Sequence, residues 1–286
     1  MIVRLVRKAI LCCLLVPVSL GAMAYAESSV EQALRQAVHG TPAVAVVLDV
    51  KNGRTIAAVG ANEGAMLRTA PGSTLKPMFL SYALGHRFIQ PQTTAFCHRG
   101  LRIAGRNLDC THPQSEKVFN AELALAYSCN NYFAEMARRF TPEQAEDALR
   151  EFGLTGQIES GASIEKLQFF VLGLEGIRVS PDTLARAYRK LAAQWNAGLP
   201  DAVKRGLEDS VQYGMAHNAY VPGVRVAGKT GTASETGQPW THGWFAGIVP
   251  ADHPKIVIVV YLPRGNGADA AHLAQHFFSA YKDAPR

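Results

Sequence analysis

Residues 71–77 read "PGSTLKP", and the fold of the chain turns on whether Ser73-x-x-Lys76 within it is a working couple. A chain of 286 residues holds roughly one Ser-x-x-Lys by chance, and this one has three: Ser73/Lys76, Ser163/Lys166 and Ser279/Lys282. Only the first has a setting that suits chemistry. Gly72 lets the chain approach a neighbour closely, and "MFLSYALG" after Pro77 reads as a helix. Pro77 falls in the first turn, where backbone N–H groups have no partner within the helix. Those free N–H groups favour developing negative charge. Lys76, one turn after Ser73, can fold back onto the serine hydroxyl. Serine is a weak nucleophile until something takes its proton. Lysine can do so when burial or nearby cations pull its pKa below the usual value of about 10.4. Ser163/Lys166 lies in a polar stretch and Ser279/Lys282 on a terminal helix, so both lack these features.

Working outward, "AVAVVLDV" (43–50) reads as an apolar strand, "KNG" as a turn and "RTIAAVG" as its hairpin partner. A helix over 28–38 precedes them, with Val30, Leu34, Ala37 and Val38 on one face. The middle of the chain is helical. "NAELALAYS" opens with Asn120 as cap. "TPEQAEDALREFG" carries Thr141 as cap, Pro142 at the first position, Gln144 completing a capping box and Gly153 as stop. "SPDTLARAYRKLAAQW" repeats that grammar from Ser180. Strands return at 224–232, 242–250 and 255–262, and an amphipathic helix over 268–282 ends the chain. Strands at both ends and helices between predict an α+β fold. One antiparallel sheet is flanked by the N- and C-terminal helices, an all-helical lobe is set beside it, and a cleft lies between.

Arg4, Arg7 and Lys8, an apolar run from Ala9 to Leu20, and "AMAYA" give residues 1–26 the pattern of a secretory signal, with an uncleaved anchor as the rival. Residues 27–286 then form one catalytic domain. The formal charge of +6 falls to 29 − 3 − 23 = +3 when the three leader cations are set aside. No basic run interleaved with aromatics suggests nucleic acid, and no cofactor motif is present. Cys97 and Cys110 are candidates for a disulfide closing a surface loop. Free thiols, or a metal held with His98 and His112, are the alternatives, although the spacings match no zinc pattern. Cys129 reads as a small buried thiol. Trp244 reads as packing, and Glu159, Glu165 and Glu175 as solvated charges.

Two further elements follow Ser73 and Lys76 in order. "YSCNN" supplies Ser128-x-Asn130, and "GKTGTAS" supplies Lys229-Thr230-Gly231-Thr232. This triple set is that of β-lactamases and penicillin-binding proteins. Over 43–264 the chain resembles the transpeptidase domain of penicillin-binding proteins, most like class B. Beside these motifs, the likeness rests on "AVAVVLDVKNGRTIAAVG", "GLEGIRVSPDTLARAYRKLA" and "HGWFAGIVPADHPKIVIVVYL". The resemblance implies that Ser73 attacks a D-Ala-D-Ala peptide or β-lactam, that Lys76 takes its proton and that Ser128 relays a proton to the leaving group. It implies that Asn130 holds the substrate amide, that Lys229 adds positive potential, and that Thr230 and Thr232 bind the terminal carboxylate, with Gly231 opening room. The backbone N–H groups of Ser73 and Thr232 would form an oxyanion hole.

The expected function is a secreted serine DD-peptidase, transpeptidase or carboxypeptidase, acting on peptidoglycan stem peptides outside the cytoplasm and acylated by β-lactams. A class D-like β-lactamase and a non-catalytic penicillin-sensing module are the alternatives. The class A deacylation run Glu-x-x-Leu-Asn is absent from the sequence, and Asn130 stands where class D has an apolar residue. The Ser128-to-Lys229 gap of 101 residues is compact for class B and closer to a single-domain β-lactamase.

Overall fold

The computed structural model describes residues 29–282. The expected leader, residues 1–26, lies outside them. Among the described residues no helix is long and apolar enough to cross a membrane. Helix α1 (29–37) leads into strands β1 (Val44–Asp49) and β2 (Thr55–Val59), joined by the "KNG" turn. Three strands from the far end of the chain complete the sheet: β7 (Ala227–Ala233), β8 (His242–Val249) and β9 (Ile256–Leu262). The order is β2-β1-β9-β8-β7, antiparallel throughout. The first and last parts of the chain thus share one sheet, and β7 is left at its edge.

The sheet is buried on both faces, and its side chains divide between two cores by the two-residue period of a strand. Ala45 and Val47 of β1, Phe245 of β8, and Ile258 and Val260 of β9 face the outer helices. There they meet Val30 and Leu34 of α1 and Phe277 and Phe278 of α10 (Gly267–Lys282). Val44, Val46, Leu48, Trp244, Ala246, Val257 and Val259 face the helical lobe. On that side α8 (Pro181–Ala193) lies across β1, β8 and β9. The α+β architecture expected from the order of elements is therefore present.

The lobe contains helix α3 (Lys76–Gly85), entered through a 3-10 turn at Gly72–Leu75 that carries Ser73. Short α2 (Ala61–Met66) precedes it. Then come α4 (Ala121–Ala126), α5 (Asn130–Ala137), α6 (Pro142–Arg150) and α7 (Ile164–Val171). The caps read from sequence are in place. Asn120 accepts from Leu123 N–H, Thr141 and Gln144 form the reciprocal box, and Ser180 accepts from Thr183 N–H. Ser163 of the second Ser-x-x-Lys pair caps α7, while Lys166 pairs with Glu159 at 2.7 Å on the surface. Helix α9 (Asp201–Gln212), which packs between α4 and β7, has no counterpart in the sequence reading. Nor do the pairs of two-residue strands between α3 and α4. These are β3 (Ala95–Phe96) with β6 (Val118–Phe119), and β4 (Arg102–Ile103) with β5 (Arg106–Asn107).

Candidate active site

The site is built where edge strand β7 lies beside the turn that opens α3. Ser73 is half-buried between buried Gly72 and Thr74. Gly72 sits at φ 55°, and a Cβ there would lie 2.7 Å from the Thr232 carbonyl oxygen. A Cβ on Gly231 would lie 2.5 Å from the Pro71 carbonyl oxygen. Two glycines thus let the backbones of the Ser73 turn and β7 touch, which side chains would prevent.

Lys76 is fully buried, and its ammonium is held by one short segment. It donates to the Ser128 carbonyl at 2.8 Å, to Ser128 Oγ at 3.1 Å and to Asn130 Oδ1 at 2.6 Å. The Phe133 ring lies 5.0 Å away. Burial lowers the Lys76 pKa to about 8, against the opposing pull of the Cys110 and Cys129 thiols. The geometry depends on Ser128, whose φ of 54° is the left-handed conformation that most side chains avoid. That conformation ends α4, starts α5 at Asn130, and turns both oxygens of Ser128 onto one ammonium. The end of α4 is itself latched, because Met215 N–H donates to the Ala126 carbonyl at 3.0 Å. Asn130 Nδ2 donates to the Leu108 carbonyl at 2.9 Å, so both ends of its amide are engaged.

Lys229 is also fully buried, and its Nζ donates to the Thr230 carbonyl at 3.1 Å. Burial, with repulsion from Lys76, holds its pKa well below the ordinary lysine value. Thr230 and Thr232 share the opposite face of β7. A Cβ on Gly267 would lie 2.7 Å from Thr230 Cβ, and Gly267 N–H donates to Thr232 Oγ1 at 2.9 Å. Thr232 is exposed, while Thr230 is buried. The structure therefore brings Ser73, Lys76, Ser128, Asn130 and the Lys229–Thr232 strand to one locality.

Cys97 and Cys110, expected as a disulfide, are instead free thiols, as is Cys129. The physical reason is local. Cys97 Sγ faces His112 Nε2 at 3.2 Å, and Cys110 Sγ faces Cys129 Sγ at 3.9 Å, well beyond the S–S bond length of about 2 Å. Of the two histidines weighed with them, His112 is buried here and His98 is exposed. Trp244 is fully buried against Tyr261, as packing. Glu159 and Glu175 are surface ion-pair partners of Lys166 and Arg106.

The family model described as the penicillin binding protein transpeptidase domain matches residues 43–281. The chain belongs to that family. Stage V sporulation protein D of Bacillus subtilis (strain 168) is 23% identical over 252 residues, covering 69% of this chain and 38% of that protein. This chain thus spans well under half of that relative's length. Among solved structures, the apo transpeptidase domain of Burkholderia pseudomallei penicillin-binding protein 3 superposes with a TM-score of 0.76 at 22% identity. It covers 91% of this chain and 93% of that one. The D,D-transpeptidase domain of a peptidoglycan glycosyltransferase from Eggerthella lenta gives a TM-score of 0.73 at 19% identity, covering 88% and 80%. At such identities the likeness is one of fold.

In this transpeptidase domain the Ser73 turn is clamped by residues that carry no motif. Ala70 N–H donates to Glu235 Oε1 at 3.2 Å. The Ala70 carbonyl lies 2.8 Å from His242 Nε2 and accepts from Trp244 Nε1 at 3.1 Å. On the other side, Tyr188 of α8 donates its hydroxyl to the Thr74 carbonyl at 2.8 Å, with both residues fully buried. Nothing in the sequence marked Tyr188 or His242, because their role comes from where α8 and β8 cross the turn. Tyr188→Phe leaves the Thr74 carbonyl without its donor. We expect a loss of about 1–3 kcal/mol in urea unfolding. The Ser73 acylation rate should fall as well, because the loosened turn carries the serine. A stability loss with an unchanged acylation rate would mean that Tyr188 is packing alone.

Proposed function

We propose that this chain is a serine DD-peptidase of the cell wall, acting outside the cytoplasm on D-Ala-D-Ala stem peptides of peptidoglycan and acylated by β-lactams. One observation carries the reading: the buried Lys76 ammonium, one turn from Ser73, held by Ser128 and Asn130. Ser73 attacks the carbonyl, and Lys76 in its neutral form accepts the serine proton. An ammonium has three N–H donors and a neutral amine two. The neutral amine keeps its bonds to the Ser128 carbonyl and Asn130 Oδ1, which are the two shortest. Its lone pair is then left for a hydroxyl. Ser128 returns the proton to the leaving group.

Contact between Gly72 and the Thr232 backbone supports a shared oxyanion hole from the N–H groups of Ser73 and Thr232. Thr232 accepts from Gly267 N–H at the start of a 16-residue helix, so its own hydroxyl proton is free to point outward. The N-terminus of that helix beside exposed Thr232 suits the terminal carboxylate of a peptide or penicillin. Thr230, on the same face, completes that end, and the remaining N–H of Asn130 takes the substrate amide. Against a β-lactamase, Asn130 Oδ1 sits 2.6 Å from Lys76 Nζ, where a carboxylated lysine would need apolar space. Glu159 and Glu175 are engaged in surface ion pairs with Lys166 and Arg106.

The test is a time course with a fluorescent penicillin on the full chain, beside Ser73→Ala. A label that requires Ser73 and persists for many minutes is the expected result. A label that appears and vanishes while the drug is consumed would make the chain a β-lactamase. Absence of any Ser73-dependent label would leave a non-catalytic binding module. Donor peptide given with and without an amine acceptor then separates transpeptidase from carboxypeptidase.

A further inference from the structure

The segment between α3 and α4 has little to hold it. Residues 95–119 contain four strands of two residues each, and their buried hydrophobic residues are Cys97, Ile103, Cys110 and Phe119. A stretch with so small an apolar core usually needs a cross-link or a metal. Here the chain gathers Cys97, Cys110, His112 and Cys129, all buried, with one ligand atom from each lying within 4.8 Å of the others. Three mutually close cysteines cannot all be satisfied by a disulfide, since one thiol is always left over.

We propose that Cys97, Cys110, His112 and Cys129 bind one zinc(II) ion as a four-coordinate Cys3His site. The donor spacing is already that of a metal polyhedron. Sulfur atoms at 2.3 Å from a tetrahedral zinc stand about 3.8 Å apart, and Cys110 Sγ lies 3.9 Å from Cys129 Sγ. Cys97 Sγ lies 3.2 Å from His112 Nε2. His112 Nδ1 is 3.1 Å from the Pro113 carbonyl, so that nitrogen carries the proton and Nε2 offers its lone pair to the cluster. A backbone carbonyl in this position is the usual outer partner of a metal-bound imidazole.

The sulfurs also have outer partners suited to thiolates. Arg99 N–H donates to Cys97 Sγ at 3.3 Å, from a residue at φ 67° that bends the chain back over the sulfur. Asn130 N–H donates to Cys110 Sγ at 3.2 Å, and Asn131 Nδ2 at 3.5 Å. Thiolate and imidazole together select zinc over magnesium or calcium, which take oxygen ligands. The site ties the β3–β6 pair and the β4–β5 hairpin to the α4–α5 junction. Cys129 sits between Ser128 and Asn130, so the ion would also brace the left-handed turn at Ser128.

The test is to purify the full chain under reducing conditions and load it with zinc(II) or cobalt(II). About one equivalent of metal per chain is expected. The cobalt form should show the intense ligand-field bands of tetrahedral coordination and a thiolate-to-cobalt charge-transfer band, both erased by zinc. Chelation should lower the melting temperature. Asn131→Ala should weaken zinc binding roughly tenfold while leaving the bands tetrahedral. His112→Cys keeps four ligands, so it should retain the metal with a stronger charge-transfer band. That outcome can be read even if Cys110→Ser fails to fold. A chain that titrates as three free thiols and takes up no metal would overturn the site. So would a mapped Cys97–Cys110 disulfide, or a cobalt spectrum unchanged by His112→Cys.

Discussion

Lys76→Met should slow acylation of Ser73 by about 10²–10⁴, the range that a general base contributes, while the chain still folds. In the wild type the rate should follow the neutral fraction of Lys76. Burial brings its pKa to about 8, so below that pH acylation should fall about tenfold per unit. Above it the rate should level off, and the variant should lack this step. The same shift has a consequence for stability. The folded pKa of about 8 lies below the ordinary 10.5, so between these values the unfolded chain holds more protons than the folded one. Stability therefore rises with pH across that window and is lowest below it. The gain is about 3 kcal/mol, since Lys76 is fully buried. It should emerge as the difference between wild type and Lys76→Met in denaturant titrations from pH 8 to pH 10.5. Lys229 adds to it with the same sign, because removing Lys76 relieves the repulsion that lowers its pKa. A rate indifferent to pH from about 6 to 10 would remove Lys76 from the role of base.

What was legible in the sequence was whatever local chemistry dictates. Capping residues at Asn120, Thr141 and Ser180 placed three helix starts, because a side-chain oxygen three residues before a free N–H is a local contact. Apolar runs gave the sheet strands, and the motifs named the residues that the structure gathers where β7 meets the Ser73 turn. The misses have two causes: the β4–β5 pair is local but only two residues long on each side, too short to show a strand's period, and the others have partners remote in sequence. Helix α9 begins at Asp201 with Pro200 in the cap position and no side-chain cap, and its face is explained only by α4 and β7. Tyr188 and Thr74 are 114 residues apart. The cysteines show the limit most clearly. Cys97 and Cys110 invited a loop-closing bridge, and Cys129 was absorbed into the Ser128-x-Asn130 motif. Only the return of α5 against the 95–119 hairpins brings Cys129 Sγ to Cys110.

Gly231→Ala should be as damaging to acylation as the loss of a catalytic side chain, although it removes no functional group. The added Cβ would lie 2.5 Å from the Pro71 carbonyl oxygen, 2.8 Å from Thr74 Cγ2 and 3.2 Å from Thr74 N. Two of these neighbours are backbone, so rotating a side chain cannot relieve the clash; the Ser73 turn and β7 must part. The turn is not free to yield. Its Ala70 and Thr74 carbonyls are held by Trp244 and Tyr188, and Gly72 is packed on Thr232 from the other side. The edge strand must move instead, and the Thr232 N–H goes with it. Losing one donor of an oxyanion hole costs about 10²–10³ in rate, and overpacking costs a further 1–3 kcal/mol or so of stability. Gly85→Ala is the control. It closes α3 with nothing within 4 Å of the new Cβ and no positive φ. It should be neutral or stabilising by up to about 1 kcal/mol. If Gly231→Ala were acylated as fast as Gly85→Ala, the close seam between β7 and the Ser73 turn would have no part in the reaction. The residual rate also separates the two parts of the site: Lys76→Met should lose the pH step and keep the seam, and Gly231→Ala should keep the step and lose the rate.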